Sequence, residues 1–345
     1  MREAAIKARK AKFPLLVCLT ISMGLLLAGL WPFDFYPKNN VQWIVEDNGL
    51  RFDRYGIAFI KRLVFSSTEG VDLSKPFTIL MKVRPRDDPA DSLPRILSVY
   101  EDDGREILFI GQWKTELIVR IYEDDRRNPA RYRETGVNKL HRDGKRTVAI
   151  CSDEKRMSIY VDGTIAIDKP GFNAPLHLEF PGPARIALGN SPSGKNPWRG
   201  ELYALSIYPK ALSPEEIRSP IANELIGNDI VIPAVFRAPK KQVLLPPWEI
   251  EKINRSFWWD EIVNILGFIP FGMAICQWLR KDDGRQRRST VIIAVMLGAV
   301  ISLLIELLQV YLPSRDSSLT DVTNNIIGTY IGTFLYPKAH RILYS

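Results

Sequence analysis

Long apolar runs constrain this chain more than any other feature. A run of about 18 apolar residues can cross a bilayer, whereas core helices of soluble proteins are usually shorter. Residues 13–31, 262–279 and 291–312 form such runs, and the last contains Glu306 as its single charge. Residues 319–336 are more polar but keep apolar side chains at helical spacing. The sequence predicts four membrane-spanning helices, over residues 13–31, 257–279, 291–312 and 319–336.

The distribution of basic residues predicts how these helices are oriented. Lys and Arg in short flanking segments stay on the cytoplasmic side. Residues 1–12 contain five basic side chains against one acidic, and the loop 280–289 contains five more. The loop 313–320 contains one basic residue, Arg315. We therefore expect the N-terminus (1–12), the loop 280–289 and the C-terminus (337–345) in the cytoplasm, with residues 32–256 outside it.

A cleaved signal peptide is the alternative interpretation of residues 13–31. Such a peptide has a short apolar core followed by a small-residue cleavage site. This run is long for a signal peptide, and no A-x-A-like site follows it. An uncleaved first span is the interpretation that these features favour.

The segment between the first two spans has the pattern of an all-β domain. Short strand-like stretches such as FTILMKVRP, EILFIGQW and RMSIYVDGTIAI alternate with turn residues. Asp162-Gly163 between two such stretches is typical of a type I′ hairpin. Many short strands at this spacing predict a β-sandwich, which we place at residues 40–218.

The end of this domain resembles a known family. The stretches YVDGTIAI, ARIALGN and WRGELYALSIYPKALSPEEI are similar to the laminin-G-like, concanavalin A-like jelly-roll domains. The resemblance implies an exported jelly roll, a fold that hosts lectins, glucanases and plain spacers. Glycan binding is therefore an expectation, and calcium in the sandwich, as in some relatives, is an alternative that no ligand-rich loop supports.

Two further features bear on the chemistry of this domain. Glucanases of this class carry paired carboxylates about 5 Å apart on one strand, whereas the acidic runs EDDGRE (101–106) and YEDDRR (122–127) lie at predicted strand ends. Hydrolysis is therefore not expected. Trp113, Tyr132 and Trp198 are either sugar-stacking rings or core aromatics.

Residues 219–256 contain five prolines, which predicts a stiff, extended linker. Trp248, Trp258 and Trp259 lie close to the start of the second span. Tryptophan is enriched where chains enter the membrane interface. We expect the linker to lead from the sandwich back to the bilayer.

Each predicted span after the first carries one polar or small stripe. At about 100° per residue, three groups of residues each share one helix face: Asp260, Asn264 and Gly267; Ser302, Glu306 and Gln309; Asp321, Asn325, Gly328 and Gly332. The Gly-x-x-x-Gly spacing predicts close helix packing, and Pro270 predicts a kink in the second span. With the orientation above, the polar groups lie in the outer half of the bilayer, near Arg315.

The same residues, in order, carry a second resemblance. The spacing Asp260-x-x-x-Asn264, Phe268-x-Pro270-Phe271-Gly272, Glu306-x-x-Gln309, Pro313-x-Arg315 and Asp321-x-x-x-Asn325-x-x-Gly328 is similar to the VanZ family. Trp31-Pro32-Phe33 after the first span matches as well. The resemblance implies a multi-pass protein of the bacterial cytoplasmic membrane and a link to the glycopeptide teicoplanin, without implying a mechanism.

These observations define a candidate intramembrane polar site: Asp260, Asn264, Glu306, Gln309, Arg315, Asp321 and Asn325. Pro270, Gly272, Gly328 and Gly332 are its candidate packing residues. The polar groups are either interhelical hydrogen bonds that hold the bundle together or a site for an envelope lipid or glycan head group, with Arg315 placed for phosphate or carboxylate. A membrane enzyme or transporter acting on a lipid-linked precursor through Glu306, Asp321 and Arg315 is a further alternative.

Partners and metals follow from composition. The three histidines, at positions 141, 177 and 340, lie outside the predicted spans, so a histidine or zinc site in the membrane is not expected. The basic excess is concentrated in short flanks rather than on the folded domain, which argues against nucleic acid. Membrane lipid and an envelope polysaccharide or lipid-linked glycan are the expected partners.

The orientation can be tested with single cysteines. A membrane-impermeant thiol reagent applied to intact spheroplasts should label a cysteine at Ser193 and not one at Ser289. The basic flanks hold Ser289 in the cytoplasm and export Ser193. Labelling at Ser289 with protection at Ser193 would overturn the orientation.

Overall fold

The computed structural model describes residues 2–60, 75–86, 93–102, 104–122, 132–140, 144–153, 155–172, 185–219, 230–237, 243–247, 255–279 and 288–344. The chain divides into two compact units. A helical unit comprises Met1–Phe35 and Lys241–Ser345, and a sandwich unit comprises Tyr36–Lys240. The acidic run 123–127, Trp248, His141, His177 and the basic loop 280–287 lie outside the described residues.

Helices are numbered along the whole chain. They are α1 (Arg2–Gly29), α2 (Pro214–Arg218), α3 (Arg255–Trp278), α4 (Arg288–Gln309) and α5 (Leu319–Tyr344). The predicted second and third spans correspond to α3 and α4 within a few residues. The fourth differs, because α5 continues through Pro337 to Tyr344 rather than ending at residue 336.

Length and composition distinguish these helices. In the described part of the chain, Trp258–Trp278 and Arg288–Gln309 are long and apolar enough to cross a membrane, and Phe13–Gly29 is a shorter apolar helix. The more polar α5 does not meet the same test. Two candidate spans therefore have structural support, and the full set of four stays a prediction.

Helices α3 and α5 pack backbone against backbone through glycines. A Cβ atom on Gly272 would overlap the carbonyl oxygen of Thr329. Likewise, a Cβ on Gly328 or Gly332 would overlap a carbonyl oxygen of α3, that of Ile265 or Ile269 respectively. Small residues of this kind allow helices to approach closely without a hydrophobic driving force between them.

The sandwich unit contains fourteen strands in the described residues. They are β1 (Gln42–Ile44), β2 (Gly49–Phe52), β3 (Ala58–Ile60), β4 (Phe77–Pro85), β5 (Arg95–Tyr100), β6 (Glu106–Trp113), β7 (Glu116–Tyr122), β8 (Tyr132–Val137), β9 (Arg146–Ser152), β10 (Arg156–Val161), β11 (Thr164–Pro170), β12 (Arg185–Leu188), β13 (Gly200–Tyr208) and β14 (Ile230–Val231). One sheet has the order β1-β2-β13-β4-β9-β10-β11, and the other β14-β3-β12-β5-β6-β7-β8. The predicted all-β sandwich is confirmed.

The core of the sandwich lies between the two sheets. Inward-facing side chains from both sheets, including Phe52, Ile110, Ile150 and Leu202, form one buried cluster. Trp198 belongs to it and donates from Nε1 to Gln112 Oε1 at 2.7 Å. Trp198 is therefore a core residue, and the sugar-stacking alternative is wrong for it.

The hairpin turn predicted in the sandwich is confirmed. Asp162 and Gly163 join β10 to β11 with positive φ angles of 50° and 72°, as a type I′ turn requires. The ALSPEEI stretch forms α2, where Ser213 and Glu216 make a reciprocal capping box. Ile217 of α2 packs with Leu80 and Tyr160 on one sheet.

The predicted linker 219–256 is not purely a spacer. Ile230 and Val231 form β14, which pairs with β3, and Phe236 is buried with Ile57 and Tyr100. The side chain of Asn39 donates to the carbonyls of both Ile57 and Pro233. The linker was predicted to be extended because of its prolines, but its apolar residues between them complete the edge of a sheet.

The glycine contact between α3 and α5 gives a stability prediction. Gly272→Ala should destabilise the protein by about 1–3 kcal/mol, because the added methyl group forces the two backbones apart. Gly267→Ala is a matched control on the same helix, since its Cβ would meet only Leu25 at 3.8 Å. That control should be neutral or stabilising by about 0.5–1 kcal/mol.

Melting temperatures of the two variants in detergent provide the measurement. Equal melting temperatures for the two variants would contradict the close backbone approach.

Candidate polar site in the helical unit

The polar stripe of α4 faces the interior of the helical unit. Ser302, Glu306 and Gln309 are all buried, together with Gly298 and Ala294 on the same side of the helix. Glu306 is only 1% exposed. A carboxylate in such a position needs partners, because burying an isolated charge is costly.

A lower polar level joins α4 to α5. Asn325 donates from Nδ2 to the hydroxyl of Ser302 at 2.9 Å, and its side chain is 3% exposed. Within the described part of the chain, the Oδ1 atom of Asn325 is buried without a hydrogen-bond donor. The amide nitrogen of Asn325 is therefore hydrogen-bonded, whereas its amide oxygen has no donor in the described structure.

An upper level lies one helical turn nearer the α4–α5 connection. Glu306 follows Ser302 by four residues and Asp321 precedes Asn325 by four, so each shares a face with its lower neighbour. Glu306 Oε2 accepts the backbone N–H of Ser318 at 2.7 Å. The charges of Glu306 and Asp321 act on each other, and the side chain of Asn264 lies beside Asp321. Two carboxylates are thus brought together.

Helix α3 adds a carboxylate that sequence reasoning missed. Glu261 is 7% exposed, whereas the predicted residue Asp260 is exposed. The amide of Asn324 donates to Glu261 Oε2. Both neighbouring asparagines of α5, Asn324 and Asn325, therefore form hydrogen bonds to another helix. The signal was present as a second acidic residue next to Asp260 and a second asparagine next to Asn325, but the helical-face argument selected one of each pair.

Gln309 and Arg315 have a different task from the carboxylates. Gln309 Nε2 donates to the carbonyl of Gly29 at 2.9 Å, and Arg315 Nε donates to the carbonyl of Trp31 at 3.1 Å. Carbonyls at a helix C-terminus have no partner within the helix. Gln309 therefore caps the end of α1, whereas Arg315, which is exposed, holds the segment that follows the helix.

The connection between α4 and α5 is held in place by a short backbone bridge. Leu245 donates its N–H to the carbonyl of Ser317 at 2.8 Å, and Leu319 donates to the carbonyl of Leu245 at 3.0 Å. Leu244 also donates to the Ser317 hydroxyl. This bridge fixes the loop that presents the Ser318 N–H to Glu306.

Charge is unbalanced at this site. Glu261, Glu306 and Asp321 lie within it, Asp260 and Asp316 act on it from nearby, and Arg315 is the basic group that acts on both Glu306 and Asp321. Among the described residues, none of the three inner carboxylates forms an ion pair. No group of three or more His, Cys, Asp or Glu side chains in the described residues is arranged to hold a metal ion.

Family models match two parts of the chain. Residues 212–343 match the VanZ/LLP1 family, and residues 63–218 match the concanavalin A-like lectin/glucanases superfamily. Both resemblances predicted from the sequence are confirmed. The chain thus combines a VanZ-like region, which includes α3, α4 and α5, with a lectin-like sandwich. No curated protein matches the chain.

Solved structures resemble the sandwich. The sialidase of Trypanosoma rangeli has a TM-score of 0.41 and 16% identity, covering 52% of this chain and 28% of the sialidase. The binding domain of botulinum neurotoxin DC has a TM-score of 0.40 and 14% identity, covering 52% of this chain and 44% of the binding domain. The binding domain of paraclostridial mosquitocidal protein 1 has a TM-score of 0.39 and 15% identity, covering 52% of this chain and 45% of that domain. The chain spans less than half the length of each.

Proposed function

We propose that this chain is a membrane protein of the cell envelope, whose helical unit holds the head group of an envelope lipid or lipid-linked glycan at the polar site. The observation that carries the proposal is Glu306, a fully buried carboxylate whose hydrogen bond in the described structure is one backbone N–H. Polar groups that only hold helices together would be expected to satisfy one another. Here acidic groups converge instead, and repel.

The apolar lengths of α3 and α4 and the VanZ-like match support the membrane part of the proposal. Ionisable side chains within membrane helices generally face a bundle interior or a wet cavity and mark functional sites. The basic flanks support an orientation with the polar site towards the outer face and both termini in the bacterial cytoplasm. Tolerance to a glycopeptide such as teicoplanin is one phenotype that such a site could produce.

The substitution Glu306→Leu distinguishes a ligand site from interhelical hydrogen bonds that only stabilise the bundle. If the residue serves a ligand, Glu306→Leu should leave the melting temperature unchanged or raise it, because exchanging a buried charge for packing often stabilises by about 1–4 kcal/mol. Envelope function should nevertheless be lost. Both quantities are measured on one variant, as melting temperature in detergent and as teicoplanin and envelope-stress sensitivity of complemented cells.

Leu304→Ala is the control, since Leu304 is an exposed residue of the same helix. It should leave the sensitivity of the cells unchanged. If Glu306→Leu lowers the melting temperature and activity declines in proportion to the loss of folded protein, the ligand-site proposal is wrong.

For the sandwich we propose glycan recognition outside the cytoplasm, supported by the match to a superfamily that includes lectins. Tyr132 is 46% exposed, with the guanidinium of Arg120 3.8 Å from its ring centroid. Exposed rings of this kind can stack on the apolar face of a sugar. Trp113, 38% exposed, is a second such ring.

Glycan binding is tested on residues 36–240, which include β14 and Phe236. This segment should bind envelope polysaccharide on an array, and Tyr132→Ala should weaken binding about fivefold or more, as expected for about 1 kcal/mol of lost stacking. Val45→Ala, at another exposed apolar residue, should have no effect. Absence of binding to every glycan tested would reject this part of the proposal.

A further inference from the structure

The polar site of the helical unit is rich in hydrogen-bond acceptors. Carboxylates accept hydrogen bonds when ionised, and Glu261 and Glu306 both interact electrostatically with Asp321. The Asp260 carboxylate also acts on both Glu261 and Asp321, and Asp316 acts on both Glu306 and Asp321. Any occupant must therefore bring donors and, preferably, positive charge.

An independent observation comes from Asn325, one turn below Asp321 on the same face of α5. Its side chain is 3% exposed, its Nδ2 is bonded to Ser302, and its Oδ1 has no donor in the described structure. A buried acceptor left without a donor is unfavourable. The neutral Asn325 oxygen, like the carboxylates, can therefore accept a hydrogen bond from a ligand.

An anionic head group suits the site poorly. The sequence pattern suggested Arg315 as a ligand for phosphate or carboxylate, but its Nε is bonded to the carbonyl of Trp31. An anion would also lie close to Glu306 and Asp321, and like charges at short range are strongly unfavourable. One arginine does not offset several carboxylates.

We propose that this site binds a protonated primary amine. The inference rests on the proposed function, in that it takes the polar cluster to be a ligand site. An ammonium group has three N–H donors and no acceptor, so it can supply a positive charge to the carboxylates of Glu306 and Asp321 and a donor to Asn325 Oδ1. Its source is either the ethanolamine head group of a lipid or a free amine such as an amino sugar.

The test uses the full chain in detergent micelles and measures melting temperature and affinity on titration with defined probes. Phosphatidylethanolamine should raise the melting temperature, whereas phosphatidylcholine, whose quaternary nitrogen has no N–H, and phosphatidylglycerol should not. Free ethanolamine and glucosamine form separate arms. Stabilisation by either of these alone assigns the site to a free amine, and stabilisation by phosphatidylethanolamine alone assigns it to a lipid.

Glu306→Gln and Asp321→Asn keep the shape of the side chain and remove the charge. Each should weaken amine binding about tenfold or more, as expected for a charged hydrogen bond of about 1.5–3 kcal/mol. Asp47→Asn, an exposed carboxylate of the sandwich paired with Lys145, is the control and should bind as the unaltered protein does.

The outcomes distinguish the two proposals. Glu306-dependent binding of phosphatidylglycerol in preference to any amine would overturn the amine assignment and leave the ligand site standing. If none of the probes binds and Glu306→Leu lowers the melting temperature, both the amine and the ligand site are wrong. Equal binding of phosphatidylcholine and phosphatidylethanolamine would also overturn the proposal, because it would show that N–H donation is not required.

Discussion

Close backbone contact between α3 and α5 is the constraint on which the helical unit depends. Gly272, Gly328 and Gly332 allow the carbonyls of one helix to touch the other. Thr329 extends the contact to α4, where its side chain fills the space beside Gly298. Thr329 is fully buried and donates its hydroxyl to the Asn325 carbonyl, so the contact adds no unsatisfied hydroxyl. Because these contacts fix the positions of α3, α4 and α5, the polar residues of the three helices face one another.

The polar faces then create an arrangement that packing alone does not require. Hydrogen bonds between neutral groups, such as Asn325 with Ser302, would suffice to join the helices. The additional carboxylates add repulsion and desolvation without an ion pair of their own among the described residues. Natural proteins retain such costly groups mainly where they serve function. Gln309 and Arg315 have neutral partners instead, the carbonyls of Gly29 and Trp31.

Sequence reasoning predicted the features that depend on one helix or one hairpin. The burial of the stripe Ser302, Glu306 and Gln309 followed from helical periodicity, and the Asp162-Gly163 turn followed from the positive φ angles that its type demands. Contacts between elements were harder to predict. Periodicity gives the face of a residue but not its neighbour, so it could not show that Glu261 would meet Asn324 or that Arg315 would reach Trp31. The two-residue strand β14 is too short to have a pattern, and Trp198 carries no sequence signal that separates a core ring from an exposed one.

If the polar site serves a ligand, as we propose, Glu306 and Asp321 repel each other rather than stabilise the bundle. A double-mutant cycle measures this directly, using the free energies of unfolding of Glu306→Gln, Asp321→Asn and the combined variant. Each single change should then stabilise the protein, and the double change should stabilise it by less than the two effects added together, because either one already relieves the repulsion. Destabilisation by both single changes, with a coupling energy of attractive sign, would show that the two side chains stabilise the bundle and that the ligand-site proposal is wrong.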